Sequence, residues 1–343
     1  MKRLLPKKIL IACYYLDPSG SSTFMQAVAD FLVARGYIIT IFTLVISDDV
    51  RVTLERKHIR VVNDASLLRR SDVDFIIAQH TIPTLLARKA IPHAPMIYFS
   101  HSPSAVENPP SIPLGIAHYI AISEEIRNKL INESGIKSKD ISLIWNGVDL
   151  ERFRPTAPLH RHVDRILFMS SRYQDKNLRV VKAAAQKIGA TLTVLGKRHK
   201  TIHVEKYINR SDIVITLSRG AMESMACGRP VVIYDYQGGE GLITATNCKA
   251  LMKCNFSGRT RHINYTPAQL VAEIKKYKPS LGPASRAIAE RNFDIQETGQ
   301  KILDLILRYK DAETDIDCHA IPSRELAWLV KRVSYFAEKQ RRS

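Results

Sequence analysis

Two cations four positions apart, Arg172 and Lys176, follow an apolar run at residues 166–169. If that run is a strand, they stand at its carboxyl end, where open α/β sheets bind ligands. A guanidinium fork beside an ammonium can stabilise a charged leaving group there without a metal; two solvated surface cations are the plain alternative. Glu223 offers two acceptor oxygens suited to ligand hydroxyls, or is simply a carboxylate at a helix terminus. Arg219 and Gly220 stand just before a helical pattern that starts at Ala221, so their backbone amides can cradle phosphate. His101 ends a β-like run at 96–99, and imidazole in that place can hydrogen-bond a hydroxyl or assist a departing charge. His80 follows another such run and reads as structural or as a weaker binding candidate. Gly20, in Asp17-Pro-Ser-Gly-Ser-Ser, lets the backbone approach a phosphate, although turn formation alone accounts for it.

Positioning these side chains requires regular elements, and the apolar periodicity supplies them. Residues 9–16 read as a buried strand, 17–22 as a small-residue turn, 23–35 as a helix with Gly36 as its cap, and 37–44 as a second strand. Further β-like runs fall at 59–62, 75–78, 96–99 and 119–122, the last followed by Ser123 as N-cap of a helix at 124–132. Around 153–162 the pattern breaks into Pro- and His-containing chain, which reads as a linker. A second cycle then begins with a strand at 165–169, a helix at 178–188 and a strand at 191–195. It continues through a strand at 213–217, a helix at 221–227 and a strand at 230–234, and ends in helices near 267–276, 285–292 and 295–310. An acidic loop at 311–317 and an amphipathic helix at 323–340 close the chain. The expected architecture is α/β with mostly parallel sheets, divided into residues 1–154, 155–310 and a tail 311–343.

Composition narrows the function classes. A chain of 343 residues, 45% hydrophobic and 24% charged, is globular and long enough for two cores. Its five cysteines, Cys13, Cys227, Cys248, Cys254 and Cys318, are odd in number and lack CxxC spacing, so neither a disulfide framework nor a zinc site is expected. The longest apolar runs fall short of the roughly 20 residues that span a bilayer, and the amino-terminal basic stretch lacks a cleavage site, so a cytoplasmic protein is expected. The net charge of +18 attracts polyanions, whether nucleic acid, an anionic membrane or a phosphorylated small molecule.

Several ordered segments carry a resemblance. They are Pro18-Ser-Gly-Ser-Ser-Thr, Ile122-Ser-Glu-Glu, Trp145-Asn-Gly-Val-Asp-Leu-Glu-Arg-Phe-Arg-Pro155, Ser171-Arg-Tyr-Gln-Asp-Lys-Asn177 and Glu223-Ser-Met-Ala-Cys-Gly-Arg-Pro-Val-Val232. In order and spacing the chain resembles retaining glycosyltransferases of family 4, over residues 8 to 310. The resemblance implies the GT-B fold, two Rossmann-like domains facing across a cleft, and a hexosyltransferase-like enzyme that needs no metal or other cofactor. It implies a nucleotide-diphosphate sugar as donor and a glycan or lipid-linked saccharide as acceptor. Carried over residue by residue, Arg172 and Lys176 bind the donor diphosphate, with Arg219 and Gly220 beside them, and Glu223 accepts from the ribose hydroxyls. His101 reaches the transferred sugar as the catalytic residue, and Gly20 lies in an acceptor or phosphate loop. The chain departs from the pattern at Ile215, where relatives commonly carry a second glutamate, and in the shortened loop Leu217-Ser-Arg-Gly-Ala-Met-Glu223 that follows.

Two other classes stay in view. The charge motivates a nucleic-acid-associated protein, including one that glycosylates modified DNA bases, but no nucleic-acid module is recognisable and few aromatics interleave with the basic residues. Ile215 motivates a binder without transferase activity. The basic tail helix either packs back on the domains or lies on an anionic membrane, which would make the protein peripheral on the inner membrane face.

Overall fold

The structure is a computed structural model, and it describes residues 7–17, 20–70, 72–197, 199 and 201–314. The chain divides into two compact units: one holds the chain up to Ile144 and again from Thr298, the other holds Trp145–Glu297. The expected limits at 154 and 310 are therefore displaced. Val148 exchanges backbone hydrogen bonds with Phe293 and Ile295, which ties the Trp145 to Leu150 segment to the second unit. The last helix belongs almost wholly to the first. The expected tail helix at 323–340 lies outside the described residues.

The first unit alternates strands and helices: β1 (Lys8–Leu16), α1 (Gly20–Val33), β2 (Ile38–Ile46), α2 (Asp48–Arg56), β3 (Arg60–Val62), β4 (Phe75–Gln79), α3 (Thr81–Ala90), β5 (Met96–Ser100), β6 (Ile116–Ala121), α4 (Glu124–Asn132) and β7 (Ile141–Leu143). The strands form one parallel sheet in the order β3-β2-β1-β4-β5-β6-β7. β4 and β5 are buried at every residue, so they read as continuous apolar runs rather than alternating ones. Gly36, at φ +83°, ends the first helical segment as expected. Ser123 Oγ accepts the Ile126 N–H at 3.3 Å and starts α4 as the N-cap reading requires. Helix α1 begins three residues before the expected start, because Gly20, Ser21 and Ser22 join it.

The second unit contains β8 (Arg165–Ser170), α5 (Asp175–Ile188), β9 (Thr191–Gly196), α6 (Val204–Asn209), β10 (Ile213–Thr216), α7 (Arg219–Ala226), β11 (Val231–Asp235), β12 (Gly238–Leu242), α8 (Cys248–Met252), α9 (Pro267–Ile274) and α10 (Leu281–Asn292). Helix α11 (Ile295–Tyr309) follows. The sheet order is β12-β11-β10-β8-β9, parallel except for β12. The Gly238-Gly-Glu-Gly241 segment is that antiparallel edge strand, with a bulge opposite Ile233 and Tyr234. Helix α7 is buried on nearly all sides, which its Gly, Ala and Ser residues permit. In the first unit, α11 is pinned at its end by Tyr309, whose ring stacks on His118 and whose Oη lies 3.0 Å from His118 Nδ1.

In each sheet the chain reverses direction across the strand order once, at β1/β4 in the first unit and at β8/β10 in the second. These are the topological switch points, where loops diverge and leave the strand ends open. The loop after β8 is held from below by Gly196, at φ +126°, where an added Cβ would lie 1.7 Å from the Ser170 carbonyl oxygen. Gly196→Ala is therefore expected to lose more stability than Gly189→Ala. Gly189 has φ +73° but open space around its Cβ position, so only the left-handed penalty of about 1–2 kcal/mol applies there. Paired urea unfolding curves of the two variants check the order.

Candidate functional site

The second unit gathers polar groups at the carboxyl ends of β8, β10 and β11. Thr216 Oγ1 donates to the Met169 carbonyl at 2.7 Å and joins the ends of β10 and β8. Ser170 Oγ accepts the Arg172 N–H at 3.3 Å and itself donates to Asp235 Oδ2, so the loop that carries Arg172 is fixed to the end of β11. Asn177 Nδ2 donates to Tyr234 Oη and to the Asp235 carbonyl, both at 3.2 Å, which anchors the first turn of α5 to the same strand. Arg172 and Lys176 are exposed above this network, Lys176 in the first turn of α5. Lys197, which follows β9, stands with its Nζ 5.8 Å from the Tyr173 ring centre and adds a third cation at the strand ends. Ser170, Asn177, Lys197 and Asp235 were absent from the residues singled out in the sequence, although Lys197 and Asp235 satisfy the same strand-end rule that selected Arg172.

Arg219 and Gly220 open α7, rather than preceding it as a loop; their amides are among the first-turn donors that a helix leaves unsatisfied. The Arg219 side chain is turned inward. Its Nε donates to Glu223 Oε1 at 2.8 Å, and its Nη1 to the Gly147 carbonyl at 2.9 Å. The two residues are 4% and 6% exposed, so this is a buried ion pair rather than a surface contact. Burial pushes the Glu223 carboxyl up, against the pull of Arg219 and Arg152, and burial likewise lowers Arg219. Glu223 thus spends one oxygen on the protein itself. Ile215, at the position of the missing second glutamate, is fully buried in β10.

The first unit gathers a separate group. His80, 1% exposed, follows β4 at φ +66°, and His101 follows β5. His101 stacks on Phe99 at 5.5 Å and meets Phe24 edge-on at 5.4 Å. Between the histidines lies Glu107, in a short 3-10 turn, Ala105–Glu107, that the sequence reading did not single out. Gly20 is exposed at the start of α1, and Pro18 and Ser19 lie outside the described residues.

Among the described residues, one grouping places three metal-type ligand atoms within 4.8 Å of one another: His160, Asp164 and Asp212. The lone pairs of Asp212 are committed. Asp212 accepts from the backbone N–H groups of His160, Asp164 and Arg165 and from Arg165 Nη2, at 2.9 to 3.3 Å. Burial would raise the Asp212 carboxyl, but these donors outweigh it and leave the group below its ordinary value. The cluster fastens residues 160–165 to the chain just before β10, which is a structural task.

Known proteins corroborate the architecture. Residues 18–152 match the model of Glycosyltransferase Family 4. HepE from Anabaena, solved with UDP and glucose, superposes with a TM-score of 0.63 at 15% identity, over 88% of this chain and 99% of that one. A glycosyltransferase from Rickettsia africae gives 0.61 at 15% identity, over 89% and 98% of the two chains. WaaG, a glycosyltransferase involved in lipopolysaccharide biosynthesis, gives 0.58 at 11% identity, over 87% and 99%. No curated protein matches by sequence. The fold is GT-B, built from two Rossmann-like units. The family 4 match covers less than half of the chain, and over its whole length the chain has the fold that these glycosyltransferases share.

Three variants probe the second-unit site. Burial raises the Asp235 carboxyl from 3.8 to about 6, against the Ser170 hydrogen bond. Between those values the folded chain holds more protons than the unfolded one, so stability falls as pH rises through that window, by about 3 kcal/mol in total. Asp235→Asn removes that loss. Its stability relative to wild type is expected to climb between pH 4 and pH 7, as read by urea unfolding at several pH values. Glu223→Ala strands a buried guanidinium and is expected to cost about 3–5 kcal/mol, whereas exposed Arg172→Ala leaves the unfolding midpoint nearly unchanged.

Proposed function

We propose that the protein transfers a sugar from a nucleotide-diphosphate sugar to a glycan or lipid-linked acceptor, without a metal and with retention of anomeric configuration. The observation that carries this reading is the cationic edge at the β8/β10 switch point. Arg172, Lys176 and Lys197 stand there at the carboxyl ends of a parallel sheet, beside the first-turn amides of α7 at Arg219 and Gly220. Such an edge suits a diphosphate whose negative charge grows as the glycosidic bond breaks. The wider field agrees in sign: Trp145–Glu297 contains 25 Lys and Arg against 13 Asp and Glu. HepE, a structural relative, was solved with UDP and glucose.

In this reading Arg172 and Lys176 hold the diphosphate, the α7 amides support it, and Glu223, through the oxygen not given to Arg219, accepts from the ribose. His101 is the catalytic group that the first unit offers to the transferred sugar, and Gly20 lies in the acceptor or phosphate loop. No helix among the described residues is long and apolar enough to cross a membrane. A cytoplasmic protein working on the inner membrane face, with its basic surface against anionic lipid, belongs to the same proposal. The buried Ile215 favours one second reading, a chain that binds the donor without transferring its sugar.

Thermal unfolding with UDP-, GDP-, ADP- and CMP-sugars tests the donor site. A ligand at about 100 times its Kd stabilises by about 2.7 kcal/mol. The expected result is a selective shift with one nucleotide, weakened about 10- to 100-fold in affinity by Arg172→Ala, as for loss of a charge-assisted hydrogen bond. No shift with any nucleotide overturns the proposal, and a shift without transfer to any acceptor selects the second reading.

A further inference from the structure

At the switch point of the first unit, the ends of β1, β4 and β5 are joined through one buried carboxylate. The Tyr14 N–H of β1 points at His80 Nδ1, 3.3 Å away. Nδ1 is then an acceptor, so the His80 ring carries a proton on Nε2. That atom lies 3.3 Å from Glu107 Oε1 and 3.2 Å from the Gln79 side-chain amide. As placed, Gln79 presents its nitrogen and leaves its oxygen buried without a partner. Exchanging the two amide atoms, which hydrogen-bond logic decides, lets Gln79 and Glu107 share the Nε2 proton. The other Glu107 oxygen accepts the His101 backbone N–H at 3.2 Å.

The turn that presents Glu107 is itself held firmly. Its carbonyl accepts from Tyr98 Oη at 3.1 Å and from Ser100 Oγ at 3.3 Å. The next carbonyl, of Asn108, accepts from Tyr98 Oη at 3.0 Å and Thr81 Oγ1 at 2.7 Å. His80 keeps φ +66°, a strained backbone conformation that persists only where surrounding bonds over-determine it. Glu107 is 3% exposed, yet its carboxyl lies below the ordinary value: burial pushes it up, and His80 and His101 together outweigh burial. The groups facing it are His80 at the end of β4, and Tyr98 and His101 at β5. Tyr14 and Tyr15 of β1 lie against the His80 ring, and Lys129 of α4 donates to the Pro103 carbonyl of the intervening loop at 2.5 Å.

We propose that Glu107 is the positioning residue of the first-unit site, fixing the main chain that carries His101 and setting how readily the His101 ring holds a proton. The catalytic consequence rests on the reading of His101 given above; the electrostatic one does not. The carboxylate that accepts the His101 backbone N–H favours the imidazolium of the same residue.

The test is a histidine carbon-13 NMR titration of the full chain, with signals assigned through His101→Gln and His80→Gln. In Glu107→Gln, which keeps the size and one acceptor oxygen, His101 is expected to titrate about one pH unit lower than in wild type. In His80→Gln, which leaves the carboxylate to His101 alone, it is expected to titrate higher. Either variant suffices if the other does not fold. A His101 titration unmoved within about 0.2 units overturns the proposal and leaves Glu107 a structural clamp. Kinetics then separate the two claims: with a nucleotide sugar that is turned over, Glu107→Gln is expected to lower kcat about tenfold with the donor KM unchanged. If no sugar is transferred from any donor, the proposed function fails while the titration still decides the role of Glu107.

Discussion

Parallel strands buried on both faces offer polar chemistry only at their ends. The helices that cover β4, β5, β10 and β11 exclude water from every residue within those strands, so a charged side chain in mid-strand would have no partner. The carboxyl ends are different: there the chain must leave the sheet, and at the two reversals of strand order the departing loops diverge. Every residue that this structure offers for chemistry sits under that constraint. Arg172 follows β8, Lys197 follows β9, Arg219 opens the helix after β10, Asp235 ends β11, and His80 and His101 follow β4 and β5.

Charge placed so close to a dry core has to be compensated, and the compensation differs from site to site. Arg219 and Glu223 neutralise each other within one turn of helix. Glu107 is balanced by two imidazoles and a backbone amide. Asp235 has only Ser170 and the amide of Tyr236 on its side, and its carboxyl drifts up. Asp212 draws on three backbone amides and an arginine, and this most complete set of donors belongs to a linker rather than to a site. Among the second-unit carboxylates, Asp212 is fully supplied with donors and is structural, whereas Asp235 beside the candidate site keeps an oxygen that a ligand can supply with a donor.

The strand-end loops also show why one sequence motif can hold two kinds of residue. In Glu223-Ser-Met-Ala-Cys-Gly-Arg-Pro, Glu223 faces Arg219, while Arg229 is fully buried and donates to the carbonyls of Ala157 and Asn209. The second arginine secures the chain that enters β8, and so belongs to the scaffold rather than to the nucleotide site.

The sequence alone determined the alternation of strands and helices, because burial on both faces demands apolar runs of strand length and amphipathic covering demands the helical period. It also placed Arg172 and His101 just past strand ends, since each follows an apolar run whose end is visible in the sequence. It did not reveal that Glu223 is paired with Arg219, that β12 is a strand, or that the first unit recovers the chain from Thr298. Nor did it reveal Glu107, six residues past His101 in a segment without periodicity. Local pattern records which face of an element is dry. Which charges meet across the ends of separate strands, and which loop carbonyls hold a turn in place, is decided only when β1, β4 and β5, or β8, β10 and β11, are brought side by side. Those contacts join residues as far apart as Tyr14 and His80 or Ser170 and Asp235, and no short-range signal encodes them.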